Sequence, residues 1–327
     1  MIDIWTVFSA VLPTYVLVGV GAWLRRVEWL THEADESLLR VVVNVLAPCL
    51  ILDHVLGNEA LRRTGNVWAP PVTGFAGICL GLLAARWAAR WVFGRGGGLA
   101  SAEARTFAAT TGFQNYGYAP LPLVTLLFPR ETTGVLFLHN LGVEVALWTL
   151  GLVTLGHASW REWRRLLNPP LLAVVAGVAL NLSGMALPRF AGSAVQMLGA
   201  CCFPLGLMLI GATLSETTAS WGGLGGKRLM LAACAARCGV APALMLLLAR
   251  WLPVSVELKR VLVVQAAMPA AVFPIVMARH HGGDVLTAAR VVVATSVVAF
   301  VTTPLWVRLG LWWVPGVSGV PMGAGVP

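Results

Sequence analysis

The sequence predicts an all-α integral membrane protein of about ten transmembrane helices, and three observations carry that reading. Hydrophobic residues fill 58% of the 327 positions and charged residues only 11%, against about 25% charged in an ordinary soluble domain. Mean hydropathy is +0.79. The apolar residues fall in runs near the roughly 20 residues that a helix needs to cross the hydrocarbon core. One soluble core stops growing at about 250 to 300 residues, whereas lipid solvates apolar surface of any extent. The bilayer is therefore the solvent for most of this chain.

Taken in order, the spans are expected near residues 4–24, 38–56, 67–93, 104–127, 133–156, 169–187, 193–215, 228–252, 258–279 and 286–313. The first follows Met1-Ile2-Asp3-Ile4, which has no basic leader, so it reads as a retained helix rather than a cleaved signal. The second and seventh each carry a proline in an apolar run, Pro48 and Pro204. The third is long enough to tilt, and the sixth is short. Tryptophans such as Trp23, Trp68, Trp91, Trp160, Trp163, Trp221, Trp251, Trp312 and Trp313 fall at expected span ends, where an indole keeps its ring in the interface and its N–H in water.

The formal charge of +9 does not read as a nucleic-acid surface. Basic residues sit in short clusters between the apolar runs, as in Arg25-Arg26, Arg161 with Arg164-Arg165, and Lys227-Arg228. Their excess in alternate loops favours both termini on the outer face. The six cysteines lie inside apolar runs without the paired spacing of a zinc or redox site.

The linker His157 to Asn168 leaves five spans on each side. The expected organisation is a first five-helix repeat (1–156), a cytoplasmic linker (157–168), a second repeat (169–313) and a tail (314–327). Five is odd, so the second half enters the membrane in the opposite sense, and internal likeness means an inverted repeat. The fourth and ninth spans show that likeness: Gly112-Phe113-Gln114-Asn115-Tyr116-Gly117-Tyr118-Ala119-Pro120-Leu121-Pro122, and Gln265-Ala266-Ala267-Met268-Pro269-Ala270-Ala271-Val272-Phe273-Pro274. Each places a glutamine upstream of two prolines. Two close prolines break a helix, and in lipid the freed backbone groups must find partners or line a wet cavity. Carriers built on inverted repeats use such breaks, with half-helix N-termini directed at an anionic group. Gln114, Asn115 and Gln265 either donate to a substrate oxygen or tie two helices together, and Tyr116 either walls the cavity or packs. Gly117, Pro120, Pro122, Met268, Pro269 and Pro274 complete the candidate substrate site.

These two segments, together with Gly282-Gly283-Asp284 and Thr302-Thr303-Pro304-Leu305, resemble the auxin efflux carrier family, which holds plant auxin exporters and bacterial malate and malonate permeases. The likeness runs along essentially all ten spans, and the short linker looks like the bacterial form. The fourth-span segment departs from the Asn-Thr-Gly-like run of many members. The resemblance implies a scaffold of spans 1, 2, 6 and 7, a mobile unit of the others, broken helices 4 and 9 that cross, and an elevator-like motion.

Charges inside the spans need explanation, because each costs at least about 2.5 to 3.5 kcal/mol. Glu144, with Asn140 one turn earlier, is expected either to couple protons or to pair with Arg237. His139 and Asp53-His54 read as structural. An intramembrane enzyme is disfavoured: there is no His-Glu-x-x-His and no Gly-x-Ser-x-Gly. The phosphate-loop likeness of Gly222 to Arg228 fails at Trp221 and Arg228. The expectation is a secondary carrier of the bacterial inner membrane moving a small organic anion, a dicarboxylate or an auxin-like acid, with a sensor or a channel as the alternatives. Its expected partners are that anion and lipid, with a homodimer left open and neither cofactor nor metal.

Overall fold

The computed structural model of the chain describes residues 4–94, 101–157, 164, 167–219 and 226–318. Twelve principal helices run through them: α1 (Ile4–Arg26), α2 (His32–Val55), α3 (Gly65–Phe93), α4 (Ala102–Gly112), α5 (Pro120–Leu127), α6 (Arg130–Leu155), α7 (Pro169–Leu182), α8 (Arg189–Ala219), α9 (Lys227–Trp251), α10 (Val256–Ala266), α11 (Phe273–His280) and α12 (Val285–Trp313). Seven of them, α1, α2, α3, α6, α8, α9 and α12, are long and apolar enough to cross a membrane. The fold is thus an all-α, multi-pass membrane protein. The 14-residue α7 takes the place of the sixth span, and the pairs α4/α5 and α10/α11 take those of the fourth and ninth. Trp160, Trp163, Trp221, most of the linker and of the 222–228 segment, and most of the C-terminal tail lie outside the described residues.

The helix ends follow local chemistry. Ser101, Asn168, Ser255 and Asp284 stand just before α4, α7, α10 and α12, and each side chain accepts a backbone N–H of the first turn. Gly282, at φ +60°, turns the chain from α11 towards that aspartate. α2 begins six residues earlier than the apolar run, because His32–Val41 extends it as a polar, mostly exposed stretch. Arg25 at the end of α1 pairs with Asp35 there at 2.5 Å and closes the first hairpin.

Two helix pairs pack most closely, each through reciprocal glycines. Gly21 of α1 lies against the backbone of Met208, and Gly211 of α8 against that of Val18, so that a Cβ on either would collide with a carbonyl oxygen. Gly74 of α3 meets the carbonyl of His139, and Gly142 of α6 that of Pro71, in the same way. Small residues let membrane helices approach because packing, rather than exclusion of water, drives their association. α2 packs on α8 and carries α7, while α4, α9 and α10 pack on α3 or α6 and carry α12.

Three long helices contain a π turn: Val42–Leu46 in α2, Leu147–Gly151 in α6 and Ala236–Val240 in α9. Two of them directly precede a proline pair position, Ala47-Pro48 and Ala241-Pro242. A proline has no N–H for the carbonyl four residues back and clashes with it, and the wider turn relieves the clash. In α9 the carbonyl freed by Pro242 is that of Cys238, and the Trp306 indole of α12 donates to it at 2.6 Å.

Candidate site at the crossing of the broken helices

The breaks lie at 113–119 and 267–272, ahead of most of the prolines. Pro120 and Pro122 stand in the first turn of α5 and Pro274 in that of α11, where a missing N–H costs nothing. Only Pro269 lies within a break. The prolines therefore start the second half-helices, and do not interrupt continuous ones.

Between the half-helices the two strands of chain cross antiparallel. Asn115 N–H donates to the Pro269 carbonyl at 2.7 Å and Ala271 N–H to the Phe113 carbonyl at 2.9 Å, with Gln114 opposite Ala270. Side chains take up three further backbone groups of the breaks. Ala270 N–H donates to Thr295 Oγ1 (3.2 Å), Thr303 Oγ1 donates to the Ala267 carbonyl (2.9 Å), and Gln265 Nε2 donates to the Tyr116 carbonyl (3.2 Å). Irregular backbone at membrane depth is tolerated only under such accounting.

The expected site residues separate into three groups. Asn115, Met268 and Pro269 line a cavity of about 70 Å³ together with Thr14 and Tyr15 of α1, Leu207 and Ile210 of α8, and Ser296 and Thr303 of α12. Ala119 and Val272, which stand immediately before α5 and α11, also border it, so both half-helix N-termini face this space. Thr14 is 8% exposed, and its hydroxyl has no hydrogen-bond partner among the described residues.

Gln265, Tyr116 and Glu144 form the second group, outside the cavity wall. Gln265 Nε2 also donates to Asn140 Oδ1 at 3.1 Å, and the Tyr116 hydroxyl donates to Glu144 Oε1 at 3.3 Å. Asn168 Nδ2 donates to Glu144 Oε2 at 3.0 Å. Glu144 is not paired with Arg237. The guanidinium is fully buried in the π turn of α9 and donates to the carbonyl of Gly112, the last residue of α4, at 3.3 Å. A cation at the C-terminal end of a helix meets its partial negative charge, which is why the two charges find separate partners.

Gln114, Gly117, Pro120, Pro122 and Pro274 form the third group, which does not line the cavity. The Gln114 side chain is wholly buried, and both of its polar atoms lack partners among the described residues. Gln114 and Gln265, alike in the sequence, are not equivalent in space. The first lies two residues past the end of α4, while the second lies inside α10. His139 is buried where α3 and α6 meet, and Asp53 pairs with Arg130.

Sequence reasoning missed Thr14, Thr295, Ser296, Thr303 and Asn168. The clearest signal for any of them was Thr14 beside Pro13 at the middle of the first span. A hydroxyl beside a helix-breaking residue there is the same kind of feature that marked the fourth and ninth spans.

A family model described as "Membrane transport protein" matches residues 6–162 and 155–307. An uncharacterized transporter of Methanothermobacter thermautotrophicus is 28% identical over 308 residues, covering 91% of this chain and 96% of that protein.

Proposed function

We propose, from the premise that this chain belongs to the membrane transport protein family, the auxin efflux carrier-like family that its proline-broken segments resemble, that it is a secondary carrier for a small organic anion. Membership makes it a membrane transporter; the substrate, the site and the motion are our reading. The observation that carries the reading is the cavity at the crossing, onto which two half-helix N-termini converge beside the Asn115 amide and the unpartnered Thr14 hydroxyl. The N-terminal end of a helix carries about half a positive charge, and the freed N–H groups of a first turn suit a carboxylate.

The rest of the wall favours one of the two expected anion classes. Val11, Val18, Leu123, Leu207, Ile210, Leu214, Met268 and Val272 are apolar, and among the described residues no charged side chain lines the space. A monocarboxylate with an apolar body leaves none of its polar groups unpaired there, whereas a dicarboxylate would bury a second charge without a partner. The amphipathic acid is therefore the preferred substrate class.

The packing supports an elevator-like motion. α1, α2, α7 and α8 pack chiefly on one another, as do α3, α4, α6, α9, α10 and α12, and the cavity lies between the two bodies. The antiparallel crossing of two half-helix pairs is what an inverted five-helix repeat would produce. We place the protein in the plasma membrane with both termini outside, on the loop-charge pattern, and leave room for a homodimer.

The test is uptake of labelled indole-3-acetate and labelled malonate into proteoliposomes, with Asn115→Ala and Thr14→Val as variants. Saturable uptake of the indole acid, at least tenfold lower in Asn115→Ala, is expected. Equal uptake by wild type and both variants would remove the crossing as the site.

A further inference from the structure

Glu144 lies 14 residues from the start of α6 and 11 from its end, about 21 and 16 Å along the axis at 1.5 Å per residue, so it sits near mid-membrane. Two donors on other elements reach its carboxylate: the Tyr116 hydroxyl from the crossing (3.3 Å) and the Asn168 amide before α7 (3.0 Å). The Trp148 indole of its own helix is a third. All three donors are neutral. The charged and titratable residues of the helices packed on α6 are Asp53 and His54 at one end of α2 with His32, Glu33, Asp35, Glu36 and Arg40 towards the other, Arg86 and Arg90 on α3, Glu103 and Arg105 on α4, and Glu257, Lys259 and Arg260 on α10; α6 itself carries Arg130 and Glu131 in its first turn and His139, five residues from Glu144 and buried against α3. Neither α5 nor α7 has a charged residue. Tyr116 is the titratable group in contact with Glu144.

Asn168 gives this carboxylate a mechanical role. α7 is only 14 residues long, about 21 Å against roughly 30 Å of hydrocarbon, and its first turn reaches the depth of Glu144. α7 belongs to the body built on α1 and α8, whereas α6 belongs to the body that holds the crossing. The Asn168–Glu144 bond thus ties one body to the other. Through Tyr116, and through Gln265 between Asn140 and the Tyr116 carbonyl, the same cluster reaches the crossing.

We infer that Glu144 takes up and releases the proton that drives this carrier, and that its bond to Asn168 transmits the protonation state between the two bodies. The inference rests on the carrier reading above. Protonation transfers H⁺ from water to a carboxylate oxygen, forms one O–H bond and removes one negative charge, with no change of oxidation state. The Tyr116 hydroxyl can turn to accept that O–H, so Oε1 is the oxygen that takes the proton. The Asn168 amide cannot turn, because its Oδ1 holds the Leu171 N–H at 2.9 Å. Its bond to Oε2 therefore changes from charge-assisted to neutral and loses about half its strength. The tie between the bodies loosens when the proton is bound and tightens when it leaves.

The experiment uses full-length protein in proteoliposomes with labelled indole-3-acetate, subtracting protein-free vesicles to remove leak of the neutral acid. Two rates are read: exchange at equal pH on both sides, and net flux under an imposed pH gradient. Glu144→Gln should keep exchange within about twofold of wild type and lose net flux driven by the gradient at least tenfold. Asn168→Asp keeps a good helix cap but sets a second carboxylate against Glu144, so the pH midpoint of exchange should rise by about one unit. Exchange by wild type with no response to the gradient overturns the proton inference and leaves the carrier reading standing. A monodisperse Glu144→Gln without exchange overturns it too, since the residue would then serve binding or folding. If that variant does not fold, an unchanged midpoint in Asn168→Asp overturns it. No saturable exchange of any acid by wild type removes the carrier reading itself.

Discussion

Gln265 Nε2 lies 3.1 Å from Asn140 Oδ1 and 3.2 Å from the Tyr116 carbonyl, so one buried amide of α10 holds a side chain of α6 and the backbone of the first break together. Both partners are acceptors as they stand, which makes the amide's donor end essential. Gln265→Glu has the same shape and no donor, and it sets a carboxylate against two oxygens. It should lower the melting temperature in detergent more than Gln265→Leu does. The leucine variant leaves the Tyr116 carbonyl unpaired, at a cost of about 1 to 3 kcal/mol. Equal melting temperatures for the two variants would show that the amide is not donating there.

Arg237 poses the opposite case. It is fully buried and donates to the Gly112 carbonyl, and two of its guanidinium nitrogens lack partners among the described residues. A buried charge without a counter-ion carries a desolvation cost of several kcal/mol, which an apolar side chain of similar volume does not. Arg237→Met should therefore melt no lower than wild type, while anion uptake falls at least tenfold because the crossing loses its buried cation. A lower melting temperature with normal uptake would make the arginine purely structural.

The freed carbonyl in α9 offers a double-mutant cycle. Trp306→Phe removes the donor to the Cys238 carbonyl and should cost about 1 to 3 kcal/mol of stability. Pro242→Ala returns a backbone N–H to the helix, so it should offset part of that loss when the two are combined. Purely additive effects would separate the indole from the proline.

The reciprocal glycines predict a position-specific tolerance. Gly142→Ala and Gly211→Ala put a methyl group into a backbone carbonyl and should destabilise by about 1 to 3 kcal/mol or more. Gly19→Ala, two residues from Gly21 with open space around it, should be neutral or stabilising by up to about 1 kcal/mol. Thermal unfolding of purified protein in detergent distinguishes them, and equal tolerance at Gly19 and Gly211 would contradict the close approach of α1 and α8.

The sequence by itself determined that the chain lives in lipid, because apolar runs of span length have no other solvent. It also marked the two segments that are broken, since a glutamine followed by two prolines stands at each break, although prolines alone do not decide it: Pro70 and Pro71 lie inside the continuous α3. Of the residues it marked at the breaks, Asn115, Met268 and Pro269 border the cavity, because amide and proline at a break are visible as local chemistry. The π turns were not legible: two of them relieve a proline, but the one in α6 has no proline near it, so the turn depends on how the helix packs on its neighbours. Nor were the partners of Glu144 and Arg237: the charges look like a pair along the chain, but a hydrogen bond depends on positions in space. Tertiary structure alone decided that the carboxylate meets Tyr116 and Asn168 while the guanidinium meets the end of α4. It likewise brought Thr14, Ser296 and Thr303, far apart in sequence, to one wall, because the crossing of the half-helices sets which faces of α1 and α12 look inward.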